Sequence, residues 1–255
     1  MGYYLLDHRN PYGDHFYTGR SRPLLAQVMH ITGGLQDLQP PDASAERTAE
    51  YAATTSRAVS WHTGSDTDSW LDLLPYSYTA WQCMGYNSST AGHEISKADT
   101  DWRDMPEQWV EATLWQAAEA IRPKLAEYGI PIRKTTRAEL DAAIARGGPP
   151  VGLIGHHELD PARRTDPGLY QGIETFPWDR FLRVLEEGDD MALTEDQLAE
   201  AVARGVHRAM ENWLPRLVQA FDGTPNSYFP NAVDMVPLTR QQNEILTQIR
   251  DGRVP

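Results

Sequence analysis

The chain has 255 residues, of which 36 are acidic and 23 are lysine or arginine, and its formal net charge is −13 at pH 7. An acidic chain of this kind lacks the basic surface on which nucleic-acid binding depends, so we expect no nucleic-acid partner. The single cysteine, Cys83, excludes an intramolecular disulfide and a cysteine-based zinc site.

The N-terminal part is predicted to alternate extended and helical segments. Residues 1–23 are rich in tyrosine, histidine, arginine and glycine without periodicity, and we interpret them as an N-terminal arm lying on the domain. Residues 24–34 form an apolar strand pattern that contains His30 and ends in a Gly-Gly turn. Residues 43–56, rich in alanine and glutamate, predict a helix. Two strand patterns joined by a turn follow, at 57–63 and 69–74.

The middle of the chain contains the longest helical pattern. An aromatic loop at 75–89 leads into a strand at 91–96. Apolar residues at helical spacing then predict a helix over 106–128, in which Pro123 should cause a kink or a break. The remaining patterns predict a helix, a buried strand and a second helix, at 136–146, 151–154 and 176–187.

These elements predict an α/β domain over residues 24–188, with a mixed central β-sheet flanked by helices. Residues 189–255 predict a small C-terminal helical appendage, because a start resembling a capping box precedes apolar residues at helical spacing. The appendage is too small to hold much of a core alone. We therefore expect it to pack on the domain, on a copy of itself or on a partner.

Histidine and aspartate side chains lie near the predicted strand ends. His30 belongs to the first strand, His156 and His157 follow the strand at 151–154, and Asp166 lies in the next loop. Imidazole and carboxylate groups together are typical ligands of zinc. Because adjacent side chains of a strand point to opposite faces, only one of His156 and His157 is expected to bind. Three protein ligands and an open position are typical of a catalytic zinc.

Hydrolysis of an amide at such an ion requires two further groups. A general acid and base must carry a proton from water to the leaving amine, and a cation or hydrogen-bond donor must face the carbonyl oxygen. Glu94 and Arg164 are the candidates for these two roles. The alternative is that these polar residues are solvated charges at strand ends.

Four segments, in this order, carry a family resemblance. They are Val28-Met-His-Ile-Thr32, Val59-Ser-Trp-His62, Gly85-Tyr-Asn-Ser-Ser-Thr-Ala-Gly-His-Glu-Ile95 and Gly155-His-His-Glu-Leu-Asp-Pro-Ala-Arg-Arg-Thr-Asp-Pro-Gly168. Together they resemble the zinc-dependent N-acetylmuramoyl-L-alanine amidases. That family shares its fold with peptidoglycan recognition proteins and includes many phage endolysins. The resemblance spans roughly residues 24–187 and does not cover the C-terminal appendage.

The resemblance implies a role for each of the central residues. It implies that His30, His156 and Asp166 are the zinc ligands. It implies that Glu94 orients the attacking water and passes its proton to the leaving amine. Arg164 stands near the position where the family usually has a lysine, and a guanidinium there can stabilise the oxyanion with a different reach and hydrogen-bond geometry.

Two further positions depart from the family pattern. Trp61 stands where some members have a tyrosine, so Glu94 is expected to carry the proton alone. Gln82 follows Trp81 where members often have a histidine, so one contact to the substrate or to the ligands is expected to differ. The other residues expected to touch the substrate or support the ligands are His62, Tyr86 and Asn87. The aromatic residues of this loop either line a sugar-peptide groove or plug the core.

The function implied by the resemblance is hydrolysis of the amide bond between N-acetylmuramic acid and L-alanine, with Zn²⁺ as cofactor and peptidoglycan as partner. No apolar run approaches the length of a membrane span, and the first residues lack a signal-peptide pattern. We therefore expect no membrane insertion, and we expect a phage endolysin made in the host cytoplasm and released to the wall through a holin. The alternatives are a cytosolic amidase of soluble muropeptides and a non-catalytic peptidoglycan-binding module. Residues 189–255 are expected to bind the wall or to form a homo-oligomer.

Overall fold

The computed structural model describes residues 15–34 and 42–188. Two short 3-10 turns, at Asn87–Ser89 and Trp102–Asp104, accompany the regular elements. In chain order the elements are β1 (Phe16–Tyr17), β2 (Ala26–Gly33), α1 (Ser44–Thr54), β3 (Thr63–Ser65), β4 (Trp70–Asp72), β5 (Thr79–Ala80), β6 (Thr90–Ala98), α2 (Glu107–Tyr128), α3 (Arg137–Arg146), β7 (Gly152–Gly155), α4 (His156–Leu159), β8 (Leu169–Tyr170), β9 (Ile173–Glu174) and α5 (Trp178–Glu187).

A five-stranded sheet in the order β4-β3-β6-β2-β7 lies at the centre of the domain. Strands β3, β6, β2 and β7 run parallel to one another, and the edge strand β4 runs antiparallel to β3. Strands β6 and β7 are buried along nearly their whole length, as expected for strands that are covered on both faces. The predicted mixed α/β fold with flanking helices is therefore confirmed.

The two faces of the sheet bury different side chains of β2. Val28 packs in a cluster with Leu140 of α3. Its neighbour Met29 packs in the cluster that contains Leu114 of α2 and the apolar residues of α5. Because side chains alternate along a strand, His30 emerges on the same face as Val28, opposite α2 and α5.

The described part of the N-terminal segment lies against the domain. Strand β1 pairs antiparallel with β5, and Phe16 stacks on Tyr78 with ring centroids 5.7 Å apart. Arg20 reaches further in and donates a hydrogen bond of 3.0 Å to the carbonyl oxygen of Thr90.

Two local predictions differ from the structure. A strand was predicted over 57–63, but β3 begins only at Thr63. Arg57 and Ala58 are exposed, and the three residues 60–62 that follow in the loop are all buried, so both apolar and polar side chains of this stretch face the interior. Pro123 lies inside α2, which continues unbroken to Tyr128, so the break predicted as one of two outcomes is wrong, whereas the kink stays a prediction. The helix ends at Gly129, whose φ of 64° is the left-handed conformation that glycine adopts readily.

The helices predicted for residues 189–255, and the wall-binding or oligomerising role expected of them, lie outside the described residues. Of the helices in the described ranges, none is both long enough and apolar enough to cross a membrane.

Candidate active site

Two imidazole nitrogens and one carboxylate oxygen converge near the carboxyl ends of β2 and β7. His30 Nδ1 lies 3.0 Å from Asp166 Oδ2, and His156 Nδ1 lies 3.0 Å from the same oxygen. The two imidazole rings stand edge to face with centroids 4.5 Å apart. The three potential ligand atoms lie within 4.8 Å of one another, so a single metal ion can contact all three.

His156 is presented by the start of a helix and not by a strand. Strand β7 ends at Gly155 and α4 begins at His156, so the strand alternation used to separate His156 from His157 does not apply. His157 still turns away from the converging atoms, because its Nδ1 lies 3.1 Å from the carbonyl oxygen of Asp166 and its Nε2 lies 3.3 Å from Glu174. A Cβ atom at position 155 would come within 2.9 Å of the His157 ring, and glycine avoids that contact.

Hydrogen bonds hold the backbone around Asp166. The backbone N–H of His157 donates to the carbonyl oxygen of Asp166 over 2.8 Å. The indole N–H of Trp102 donates to the carbonyl oxygen of Pro167 over 2.7 Å. Because these contacts come from two separate elements, they fix the position of the Asp166 carboxylate relative to the histidines.

Glu94 lies beside His30. The two residues are Cα partners in the parallel register of β2 and β6, so their side chains emerge on the same face of the sheet. Burial, followed by the negative charge of Asp166, raises the pKa of Glu94 well above its ordinary value, while Arg164 and a hydrogen bond with Trp61 act in the opposite direction. A carboxyl group with a raised pKa is suited to general acid and base catalysis.

Asp166 has the opposite electrostatic environment. Burial acts to raise the pKa of Asp166, but hydrogen bonds with His156 and His30 outweigh it and hold the pKa below its ordinary value. The site therefore contains one carboxyl group that stays ionised and one, Glu94, that holds its proton more tightly. Two acidic groups whose pKa values are shifted in opposite directions typically have different roles, in which the ionised group stabilises charge and the other transfers a proton.

Gln82 contacts the ring nitrogen of His30 that faces away from Asp166. Gln82 Oε1 lies 2.6 Å from His30 Nε2, and Gln82 Nε2 donates to the Thr90 hydroxyl over 2.7 Å. Gln82 therefore supports a candidate ligand directly.

A cavity of about 350 Å³ opens over these groups. Arg164 lies at this cavity and is exposed, so its guanidinium can meet a bound molecule. The residues predicted for the site that line the cavity are His30, Trp61, Trp81, Gln82, Glu94, His156, Arg164 and Asp166.

Helix α1 supplies a wall of the cavity that the sequence analysis did not predict. Arg47, Thr48 and Tyr51 line the cavity from this helix, and Arg57 lines it from the loop that follows. Residues spaced by three or four positions share one face of a helix, so the polar face of α1 was a signal present in the sequence.

His62 lies behind the cavity and is not among the described residues that line it. Its Nδ1 accepts a hydrogen bond of 3.0 Å from the Gly92 backbone N–H, and its Nε2 lies 2.8 Å from the Arg20 guanidinium and 3.1 Å from the Tyr78 carbonyl oxygen. Burial, followed by the positive charge of Arg20, lowers the pKa of His62 to about 3. His62 therefore remains neutral and braces strand β6.

Tyr86 and Asn87 also support the framework and are not part of the described lining of the cavity. Asn87 Oδ1 accepts hydrogen bonds of 3.1 Å and 2.6 Å from the backbone N–H groups of Gln82 and Cys83. The Tyr86 hydroxyl donates to Asp141 over 2.8 Å. Asn87 therefore orders the loop from which Gln82 reaches the site.

A second group of metal-ligand residue types lies nearby, formed by His157, Glu158 and Glu174. Lys134 Nζ lies 3.3 Å from Glu158 and 3.6 Å from Glu174, and the Trp178 indole N–H donates to Glu174 over 3.2 Å. Because Lys134 and the Trp178 indole already pair with the two carboxylates, we interpret the cluster as an ion-pair network.

Comparisons with known proteins give one family and several solved structures. A family model described as N-acetylmuramoyl-L-alanine amidase matches residues 20–169. No curated protein gives a match. Among solved structures, PlyL is 18% identical, with 67% of this chain and 88% of that chain covered and a TM-score of 0.45. The catalytic domain of XlyA is 20% identical over 69% and 94% of the two chains, with a TM-score of 0.44. Staphylococcus aureus AmiA in complex with its ligand is 16% identical over 70% and 81%, with a TM-score of 0.45.

Proposed function

The chain belongs to the N-acetylmuramoyl-L-alanine amidase family, and from this premise we propose that it is a zinc enzyme that cleaves the bond between N-acetylmuramic acid and L-alanine in peptidoglycan. The family match covers residues 20–169 and makes the chain an amidase. The observation that carries the zinc proposal is the convergence of His30, His156 and Asp166 within 4.8 Å, beside Glu94.

The donor set fits zinc. Two imidazole nitrogens and one carboxylate oxygen are common ligands of catalytic zinc. The Asp166 carboxylate, whose pKa is held below its ordinary value, supplies the negative charge that a divalent cation requires. A zinc ion held by His30, His156 and Asp166 would polarise the substrate carbonyl and bring the pKa of water toward neutrality.

Glu94 and Arg164 perform the remaining steps of the proposed reaction. The Glu94 carboxylate takes a proton from the attacking water and delivers it to the nitrogen of the leaving L-alanine. A hydrogen bond with Trp61 favours the ionised form of this carboxyl group, which is the form that takes the proton. The Arg164 guanidinium donates a hydrogen bond to the carbonyl oxygen as negative charge develops there.

The reaction is tested by incubating the full chain with purified cell walls and measuring the release of free N-terminal alanine. We expect release with zinc present, loss after treatment with a chelator, and recovery when zinc is added back. Glu94→Gln should lower the rate of release by roughly 10²- to 10⁴-fold, whereas Glu186→Gln, a surface control on α5, should retain it. Binding of the wall without alanine release would instead support the non-catalytic module.

We also propose that the enzyme serves in phage lysis, made in the host cytoplasm and acting on the wall after release through a holin. The family match supports the wall as substrate. Intact sacculi and soluble anhydromuropeptides distinguish this role from recycling in the cytosol. A phage lysis enzyme should cleave sacculi efficiently, and a clear preference for the soluble fragments would contradict this role.

A further inference from the structure

We propose that Gln82 is a positioning residue that selects the tautomer of His30 and thereby leaves His30 Nδ1 free to bind the metal. The inference rests on the proposed metal site, since it concerns how one of the candidate ligands is prepared. It assigns a function to a position that departs from the usual family pattern.

A chain of hydrogen bonds orients the Gln82 amide. The Thr90 hydroxyl donates to the backbone carbonyl oxygen of Tyr86 over 2.9 Å. This hydroxyl therefore acts as the acceptor for Gln82 Nε2 at 2.7 Å. The amide NH₂ is directed at Thr90, and the amide oxygen is directed at His30 Nε2 over 2.6 Å.

The orientation of the amide decides where the His30 proton lies. The Gln82 oxygen can only accept a hydrogen bond, so His30 Nε2 must be the donor. A charged His30 ring carries a proton on each nitrogen and donates to both Gln82 and Asp166. The neutral ring has one proton, which stays on Nε2, so Nδ1 is then a bare nitrogen that faces Asp166 Oδ2 at 3.0 Å. Two acceptors at this distance repel each other unless a cation lies between them, which is the condition that favours metal binding.

The opposite tautomer would close the site. If the proton were on His30 Nδ1, it would be donated to Asp166 and would occupy the nitrogen that the metal needs. That state requires the Gln82 amide to turn, which would direct its NH₂ at His30 and remove the present donor to Thr90. Gln82 thus opposes the tautomer that competes with metal binding. Outer partners of ligating histidines commonly act in this way.

Packing leaves Gln82 little freedom to move away. The residue is buried, with 8% of its surface exposed. Gly92 lies directly beneath it on β6, and a Cβ atom there would come within 2.8 Å of Gln82 Cγ. The absence of a side chain at position 92 creates the space in which the Gln82 side chain reaches His30.

Three variants separate this role from packing. Gln82→Met keeps the length of the side chain and removes the acceptor. Gln82→Glu keeps an acceptor for His30 Nε2. Gln27→Met is the matched control, because Gln27 is a fully buried glutamine on β2 whose oxygen accepts from the Tyr76 hydroxyl over 2.8 Å.

Two measurements are made on each protein. Nitrogen-15 NMR of the metal-free full chain in alkaline buffer reports which ring nitrogen of His30 carries the proton. Competition with a chromogenic chelator reports the zinc affinity. We expect the Nε2–H tautomer in the unsubstituted protein, in Gln82→Glu and in Gln27→Met, and a shift toward Nδ1–H in Gln82→Met. Zinc affinity should fall about 10- to 100-fold in Gln82→Met, as is usual for outer partners of metal ligands, and should be retained in Gln82→Glu and Gln27→Met.

The outcomes distinguish this inference from the proposed function. An Nδ1–H tautomer in the unsubstituted protein, or equal zinc affinity in Gln82→Met and Gln27→Met, would overturn the role of Gln82 while leaving the amidase proposal intact. If the chain showed the Nε2–H tautomer and its loss in Gln82→Met but released no alanine from cell walls, the role of Gln82 would stand and the proposed reaction would fail. If Gln82→Met does not fold, the tautomer of the unsubstituted protein and the zinc affinity of Gln82→Glu still decide the question.

Discussion

Replacing Glu94 with glutamine should reduce activity and increase stability at the same time. The side chain is 4% exposed, and burial and the charge of Asp166 raise the pKa of Glu94 well above its ordinary value of 4.5. Ionisation of Glu94 in the folded protein therefore carries a free-energy cost. Glutamine has nearly the same shape and removes that cost. It also removes the proton carrier, for which losses of roughly 10²- to 10⁴-fold in rate are usual.

The pH dependence of the stability gain has a definite sign. Between the pKa of Glu94 in the unfolded chain and its higher pKa in the folded chain, the folded state binds more protons, so the free energy of unfolding falls as pH rises. Below pH 4.5 the carboxyl group is protonated in both states, and Glu94→Gln should change little. The gain of the variant should grow above that pH, by about 1.4 kcal/mol for each tenfold difference between the two acid constants.

Urea unfolding of the metal-free protein and of Glu94→Gln, followed at several pH values, measures this difference directly. The surface variant Glu186→Gln is the control and should show no gain. A Glu94→Gln protein that is less stable than the unsubstituted protein at neutral pH, or whose gain in stability shrinks as pH rises, would contradict a buried Glu94 with a raised pKa.

Variants at three further positions test other parts of the structure. Trp102→Phe removes the donor to the Pro167 carbonyl oxygen. Leaving this buried oxygen unpaired should lower the free energy of unfolding in urea by about 1–3 kcal/mol, and the variant should bind zinc more weakly. Unchanged values for both would contradict the role given to that hydrogen bond. Thr136→Ala removes the capping box of α3 and should lower the free energy of unfolding by about 1 kcal/mol without changing the rate of alanine release. A loss of activity at equal stability would contradict a purely structural role for this cap. Arg164→Ala should lower kcat by about 10²- to 10³-fold if the guanidinium faces the oxyanion, with Arg164→Lys intermediate, and equal rates for both variants and the parent would exclude this role.

Much of the fold could be predicted because its elements are encoded locally. Strand β2 and helix α2 have the lengths and apolar spacing that distinguish strand from helix. Thr136 and Glu139 form the capping box that starts α3, within three residues of each other. The predicted strand at 57–63 was wrong for the opposite reason, since the backbone of Ser60 and His62 hydrogen-bonds to Trp81 and Gly92, which lie far away in the chain.

The candidate site also contains residues that the sequence could predict and residues whose roles depend on contacts between distant parts of the chain. The family resemblance implied His30, His156 and Asp166 together, and the structure brings them to one point. His62 lies in the loop before β3 and behind the cavity, where its ring accepts a hydrogen bond from the backbone of Gly92 on β6. No local pattern reveals such a contact. The orientation of Gln82 likewise depends on side-chain and backbone groups that come together only in the folded sheet.

The number of zinc ions bound per chain, measured together with alanine release from cell walls, is the decisive test of a zinc amidase built on His30, His156 and Asp166. We predict that the purified full chain binds a single zinc ion and that His30→Ala loses both the zinc and the activity. His93→Ala should keep the zinc, because His93 lies away from the cavity and contacts the Thr63 and Ser65 hydroxyls. Alanine release by a zinc-free protein, or by His30→Ala at the parent rate, would contradict the account.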